Sequence, residues 1–223
     1  MSHQAEGATQ ALDRRPVKAR DTWWAAALAR RFTAWGVRPN AISVASVVLA
    51  ALAGLSLAAT SQVLPWMGRA GLCLAAVAGI QLRLLCNLID GLEAVEGGLG
   101  TKTGPLFNEF PDRLSDVLVL VGAGYAAGPY GPTLGWAAAL LAVLTAYVRA
   151  LGGAVGATQP FCGPMAKQHR MEVVCLGSVL ALAEGTLTGT CWAMPAALLV
   201  VVLGSAATVA RRLRLIAAEM RAK

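Results

Sequence analysis

Half of the chain's twelve acidic residues fall between Asn87 and Asp116, in the segment NLIDGLEAVEGGLGTKTGPLFNEFPDRLSD. Asn87, Asp90 and Gly91 are spaced i, i+3 and i+4, with Ala94 one turn further, so they share one face of a helix. After the glycines at 97, 98 and 100, Gly104, Asn108, Asp112 and Asp116 recur every fourth residue, which again lines one face. Two such faces set opposite each other make a cage of carboxylate and amide oxygens. Oxygen donors suit Mg²⁺, Mn²⁺ or Ca²⁺ rather than zinc. Gly91, Ala94 and Gly104 leave space for a bulky phosphate ligand against the helix backbones. Polar residues at a helix end are often no more than a solvated cap. Here several converge with small residues between them beside apolar runs, where ionisable groups are costly. Asp116 lies deepest and is expected to pair with Arg113 or a neighbouring helix, in support of the cage rather than as part of it.

The elements that position these faces are membrane helices. Of 223 residues, 57% are hydrophobic and 14% charged, far below the quarter charged that is usual in a soluble domain. The apolar residues come in runs near bilayer length. The expected fold is an all-α polytopic bundle of six transmembrane helices, at roughly 41–61, 70–94, 105–127, 133–155, 171–187 and 190–210. Residues 1–20 are polar and expected to be disordered. Over 21–38, Trp24, Leu28, Phe32 and Trp35 recur at helical spacing with Arg30 and Arg31 among them, the pattern of an interfacial amphipathic helix. Gly36 can end that helix and Pro39 blocks its continuation. The domain then spans 39–210, with a basic tail over 211–223.

With six spans, nearly every Lys and Arg outside them falls on one side, and the opposite loops hold only Arg69. The positive-inside rule makes both termini cytoplasmic. The net charge of +7 sits at the ends of apolar runs, which favours anionic lipid headgroups over nucleic acid as its partner. The cysteines at 73, 86, 162, 175 and 191 form no C-x-x-C pair and suggest neither disulfide nor metal. Arg149, Lys167 and Arg170, at and after the end of the fourth span, could hold a phosphate or simply anchor the cytoplasmic side. Lys102 could face a nucleotide or water. His169 reads as an interfacial residue.

The cassette resembles the signature of the CDP-alcohol phosphotransferase family, D-x-x-D-G-x-x-A-R, a spacer, then G-x-x-x-D-x-x-x-D. Asp90, Gly91, Ala94, Gly104 and Asp112 match in register, and GVRPNAIS from Gly36 to Ser43 looks like the family's lead into its first span. The resemblance implies a membrane enzyme of phospholipid synthesis, homodimeric, in the bacterial cytoplasmic membrane. It implies a donor such as CDP-diacylglycerol, an alcohol acceptor, release of CMP and a divalent cation, Mg²⁺ or Mn²⁺. Asp112 would then be the base as well as a metal ligand, with Asp90 as ligand. Asn87 and Asn108 would be neutral ligands or nucleotide contacts beside Gly91, Ala94 and Gly104. Three positions depart from the pattern. Asn87 and Asn108 replace aspartates and Val95 replaces arginine, which lowers the expected metal affinity; Glu93, Glu96 or Glu109 could restore charge. The alternative reading is a catalytically silent scaffold or lipid-binding protein on the same fold. A transporter fits less well, because the polar cluster lies at one face rather than at the midplane.

Overall fold

The computed structural model describes residues 23–37, 39–62, 65–96 and 104–223. The expected disorder of 1–20 and the position of Lys102 lie outside the described residues. Among those residues there are seven helices and no strand: α1 (Trp23–Ala34), α2 (Pro39–Thr60), α3 (Trp66–Glu96), α4 (Gly104–Tyr125), α5 (Gly131–Ala154), α6 (Lys167–Leu187) and α7 (Ala193–Ala222).

α1 packs two residues of the expected face and leaves the other two, Trp24 and Trp35, exposed. Its Leu28 and Phe32 pack with Ile42 of α2 and with Ile89 and Leu92 of α3. Trp23, Trp24 and Trp35 stay exposed, and Arg31 lies 5.5 Å above the Trp35 ring. Gly36 closes the helix at φ +70°, the left-handed position that favours glycine. The Val37 N–H returns to the Phe32 carbonyl at 3.2 Å, and Pro39 occupies the first position of α2, where its missing N–H costs nothing.

Helices α2 to α7 close a ring. α2 packs on α3 and α4, α4 on α5, α5 on α7, α7 on α6, and α6 back on α3. The main contacts that cross the ring, α3 with α4, α4 with α6 and α4 with α7, involve α4. α4 is therefore the inner helix, and it is also the one that carries Glu109, Asp112, Arg113 and Asp116.

The helix ends fall within a few residues of the expected spans, with two differences of substance. Four segments are long and apolar enough to cross a bilayer: Asn40–Thr60, Trp66–Asp90, Gly131–Ala154 and Ala193–Ala222. α4 and α6 are not apolar enough, because each holds several charged residues; at 22 and 21 residues they are still about 32 Å long. Two charges of each pair across the two helices, Asp112 with Lys167 and Asp116 with Arg170, whereas Glu172 of α6 is exposed and Glu184 binds the turn after it. The second difference is α7, which does not stop near 210. It runs 30 residues to Ala222, about 45 Å, and takes the basic segment with it.

Close packing between the helices depends on glycine at one crossing in particular. A Cβ built on Gly122 of α4 would lie 2.5 Å from Gly54 Cα of α2, so neither helix can carry a side chain there. In lipid such contact, rather than water exclusion, holds helices together. Gly122→Ala should therefore destabilise the bundle by about 1–3 kcal/mol, read as a lower unfolding temperature in detergent. Gly71→Ala, where an added Cβ meets nothing within 4 Å, should leave that temperature unchanged.

Candidate functional site

One end of the bundle gathers the start of α2, the end of α3, the start of α4, the end of α5 and the start of α6. The expected site residues lie there. Asn87, Asp90, Gly91 and Ala94 are on the last turns of α3, and Gly104, Asn108, Asp112 and Asp116 are on the first turns of α4. The two helices run antiparallel, and Arg83 of α3 is level with Asp112 and Asp116 of α4. Asn87 and Asn108 therefore each stand one turn nearer the α3–α4 link, on the faces that the spacing predicted. Pro111 lies inside α4 and leaves the Phe107 carbonyl without its usual helical donor.

The innermost layer is ionic. Asp116 is fully buried and receives Arg83 Nη2 on Oδ1 at 2.6 Å and Arg170 Nη2 on Oδ2 at 2.8 Å. One carboxylate thus joins α3, α4 and α6. The partner expected for Asp116 on its own helix, Arg113, pairs with Glu109 instead at 2.6 Å. Arg170 is also placed differently from a phosphate ligand. It is 2% exposed, its Nη2 is on Asp116, and its Nη1 reaches the Met165 carbonyl at 3.3 Å and Thr145 Oγ1 at 3.4 Å.

One turn outward stands Asp112. Its Oδ2 accepts from Lys167 Nζ at 2.6 Å, and its backbone carbonyl accepts from Arg83 Nη2 at 3.2 Å. Its Oδ1 is buried without a hydrogen bond, 4.0 Å from Arg83 Nη2. Asp90, 4% exposed, accepts from Ser43 Oγ of α2 at 2.7 Å on Oδ2. The Asn87 side-chain Nδ2 is buried without a hydrogen bond.

Among the described residues no three of His, Cys, Asp and Glu converge on a point, as follows from amides at 87 and 108. The donors present are all oxygen, and Asp112 offers a buried carboxylate oxygen that makes no hydrogen bond. That set fits a hard divalent cation held through few charges. Glu109 does not restore charge to the cage, since it is exposed at the rim between Arg113 and Arg149 Nη2, the latter at 2.5 Å. The side chains of Glu93 and Glu96 lie outside the described residues.

Sequence reasoning missed the residues that brace this end. Arg83 is wholly buried in a run that reads as apolar; its place four residues before Asn87, on the same face, was the available signal. The α5–α6 link is held along one side of α7. Thr208 Oγ1 accepts the Met165 N–H at 3.0 Å, and Arg212 Nε donates to the Cys162 carbonyl at 3.0 Å. Arg212 also reaches the Thr145 carbonyl, and Glu219 Oε2 takes the Thr158 N–H at 2.9 Å. The extended α7 thereby fixes the segment that delivers Lys167. Arg149 stacks on Phe161 of that link, 5.1 Å from the ring centroid.

Removing Asp116 alone strands two buried guanidinium groups. Asp116→Ala should cost about 3–5 kcal/mol and lower the unfolding temperature sharply. The triple replacement Arg83→Met, Asp116→Leu, Arg170→Met removes the charges together and should recover most of the loss in the same melting experiment.

No protein-family model matches the chain, and no curated protein matches it in sequence. Solved structures do. Phosphatidylinositol phosphate synthase from Mycobacterium tuberculosis with CDP-DAG bound superposes with a TM-score of 0.67 at 19% identity, over 86% of this chain and 92% of that one. The same enzyme in complex with manganese and citrate gives 0.68 at 18% identity, over 86% and 88%. Its apo form gives 0.66 at 19% identity, over 85% and 94%. Over nearly its whole length, this chain has the fold of that mycobacterial enzyme.

Proposed function

We propose that the chain is a membrane CDP-alcohol phosphotransferase that moves a phosphatidyl group from CDP-diacylglycerol, or a related CDP-linked donor, to an alcohol with release of CMP. The observation that carries the reading is Asp112, a buried carboxylate with one oxygen on Lys167 and the other without a hydrogen bond. The shared fold supports it, since the mycobacterial enzyme has been seen with CDP-DAG, and so does the match of the cassette to the family signature.

In the proposed reaction the acceptor hydroxyl attacks the β-phosphorus of the donor. The new O–P bond forms as the bond to CMP breaks, and Asp112 takes the hydroxyl proton. A carboxylate is a weak base, but it need act only as the hydroxyl becomes acidic in the transition state. Most of the work in such transfers is positioning and charge neutralisation. Asn87 and Asn108 contact the nucleotide, and Gly91, Ala94 and Gly104 allow its diphosphate close to the helices. Arg149 and Lys102 are proposed for the phosphate of a phosphorylated acceptor. A divalent cation, Mg²⁺ or Mn²⁺, would be held by Asp90 and Asp112 with the amide oxygens of Asn87 and Asn108, and would supply positive charge to the phosphate oxygens.

The same reading places six spans in a bacterial cytoplasmic membrane as a homodimer. Both termini are cytoplasmic, α1 lies in the headgroup layer, and α4 and α6 cross despite their charges. Pairing of Asp112 with Lys167 and of Asp116 with Arg170 supports the crossing, because buried ionic groups in a bilayer persist where they face partners.

The test is CMP formation from CDP-diacylglycerol across glycerol 3-phosphate, serine, inositol phosphate and free polyols. Wild type should release CMP with one of them. Asp112→Asn should lower the rate about 10²–10⁴-fold while eluting as a folded protein, because an amide keeps an oxygen but cannot take the proton. Absence of CMP with every acceptor would leave the scaffold reading in its place.

A further inference from the structure

Asp112 stands between two cations. Lys167 Nζ holds Oδ2 at 2.6 Å, and Arg83 Nη2 lies 4.0 Å from Oδ1. The two cations differ in freedom. Arg83 is fully buried and tied to Asp116 and the Asp112 carbonyl, whereas the Lys167 side chain is 21% exposed on a flexible stem at the first position of α6. The N-terminus of α6 adds positive potential at the same place.

We infer that Lys167 is the resting counter-ion of Asp112, and that it makes divalent-cation binding at this site depend on a diphosphate ligand. The inference rests on the reading of this end of the bundle as a cation–diphosphate site. A divalent ion approaching Oδ1 meets the Lys167 ammonium and the Arg83 guanidinium at short range, in a buried setting where repulsion is poorly screened. With only Asp90 and Asp112 as charged oxygen donors among the described residues of the cassette faces, little opposes that repulsion. A diphosphate reverses the balance. Its negative charge compensates the metal, and it offers Lys167 a new anionic partner to which an ammonium on a four-carbon stem can turn. Metal and diphosphate then bind as a pair. By linkage each tightens the other by the same factor. The carboxylate that must take a proton is kept paired until the donor arrives.

The experiment is Mn²⁺ binding to the purified full-length chain, followed by the electron paramagnetic resonance signal of free Mn²⁺. CDP serves as the diphosphate probe, and Mn²⁺ held by free CDP is subtracted from a protein-free titration. Saturating CDP should tighten Mn²⁺ binding to wild type by about tenfold or more. Lys167→Met, with the counter-ion removed, should bind Mn²⁺ about tenfold more tightly in the absence of CDP and show a much smaller effect of CDP; Lys167→Arg should keep the coupling. Equal Mn²⁺ affinity of wild type with and without CDP would overturn the inference, as would Lys167→Met binding Mn²⁺ no better than wild type without nucleotide. The readout is separate from turnover. Coupling without CMP release counts against the proposed reaction alone, and CMP release without coupling counts against this inference alone.

Discussion

The carboxylate of Asp116, held in the interior between Arg83 and Arg170, is the constraint on which this end of the bundle depends. A lone charge there would be prohibitively costly, so the three side chains must arrive together. Since they come from α4, α3 and α6, their pairing sets how far each helix extends past the others. That register puts Asp112 one turn outside the ion pair and within reach of Lys167. It also explains how a helix with four charged residues can be the innermost one.

Charge along α4 is graded by depth, and the grading separates roles. Side-chain exposure falls from 48% at Glu109 to 8% at Asp112 and to none at Asp116. Glu109 sits at a wet rim with Arg113 and Arg149, where ion pairs contribute little. Asp116 is too enclosed to meet a substrate. Asp112 is the intermediate case, buried enough for its charge to matter and close enough to the opening for a ligand to reach it. The adjoining α5–α6 link is splinted by Thr208, Arg212 and Glu219 of α7, which makes the far end of the chain part of the support for Lys167.

Much of this was legible in the sequence, and the exceptions have physical causes. Apolar run length located the helices, and the sequence spacing puts Asn87 one turn from Asp90 on α3 and Asn108 one turn from Asp112 on α4. Arg83 escaped because one arginine in a long apolar run barely changes its mean hydropathy, although a charge inside a membrane helix is itself a signal of a specific partner. Arg170 looked like a surface cation because its neighbours in the link are polar; only the fold shows it turned toward Asp116. The hydrogen bond from Ser43 to Asp90 joins residues 47 apart in sequence, and no local pattern announces such a contact. The extent of α7 was underestimated for another reason: an apolar run ends where hydropathy falls, whereas the helix continues wherever one face still has something to hold.

The central claim is that the ends of α3 and α4 together receive a cation and a CDP diphosphate. It is tested most directly by crystals of the protein grown with Mn²⁺ and CDP, with anomalous data collected at the manganese edge. The account predicts an anomalous peak within about 2.5 Å of carboxylate oxygens of both Asp90 and Asp112, with diphosphate density against it and Lys167 turned from Asp112 toward a phosphate oxygen. Nucleotide bound elsewhere, or a manganese peak remote from both carboxylates, would contradict it.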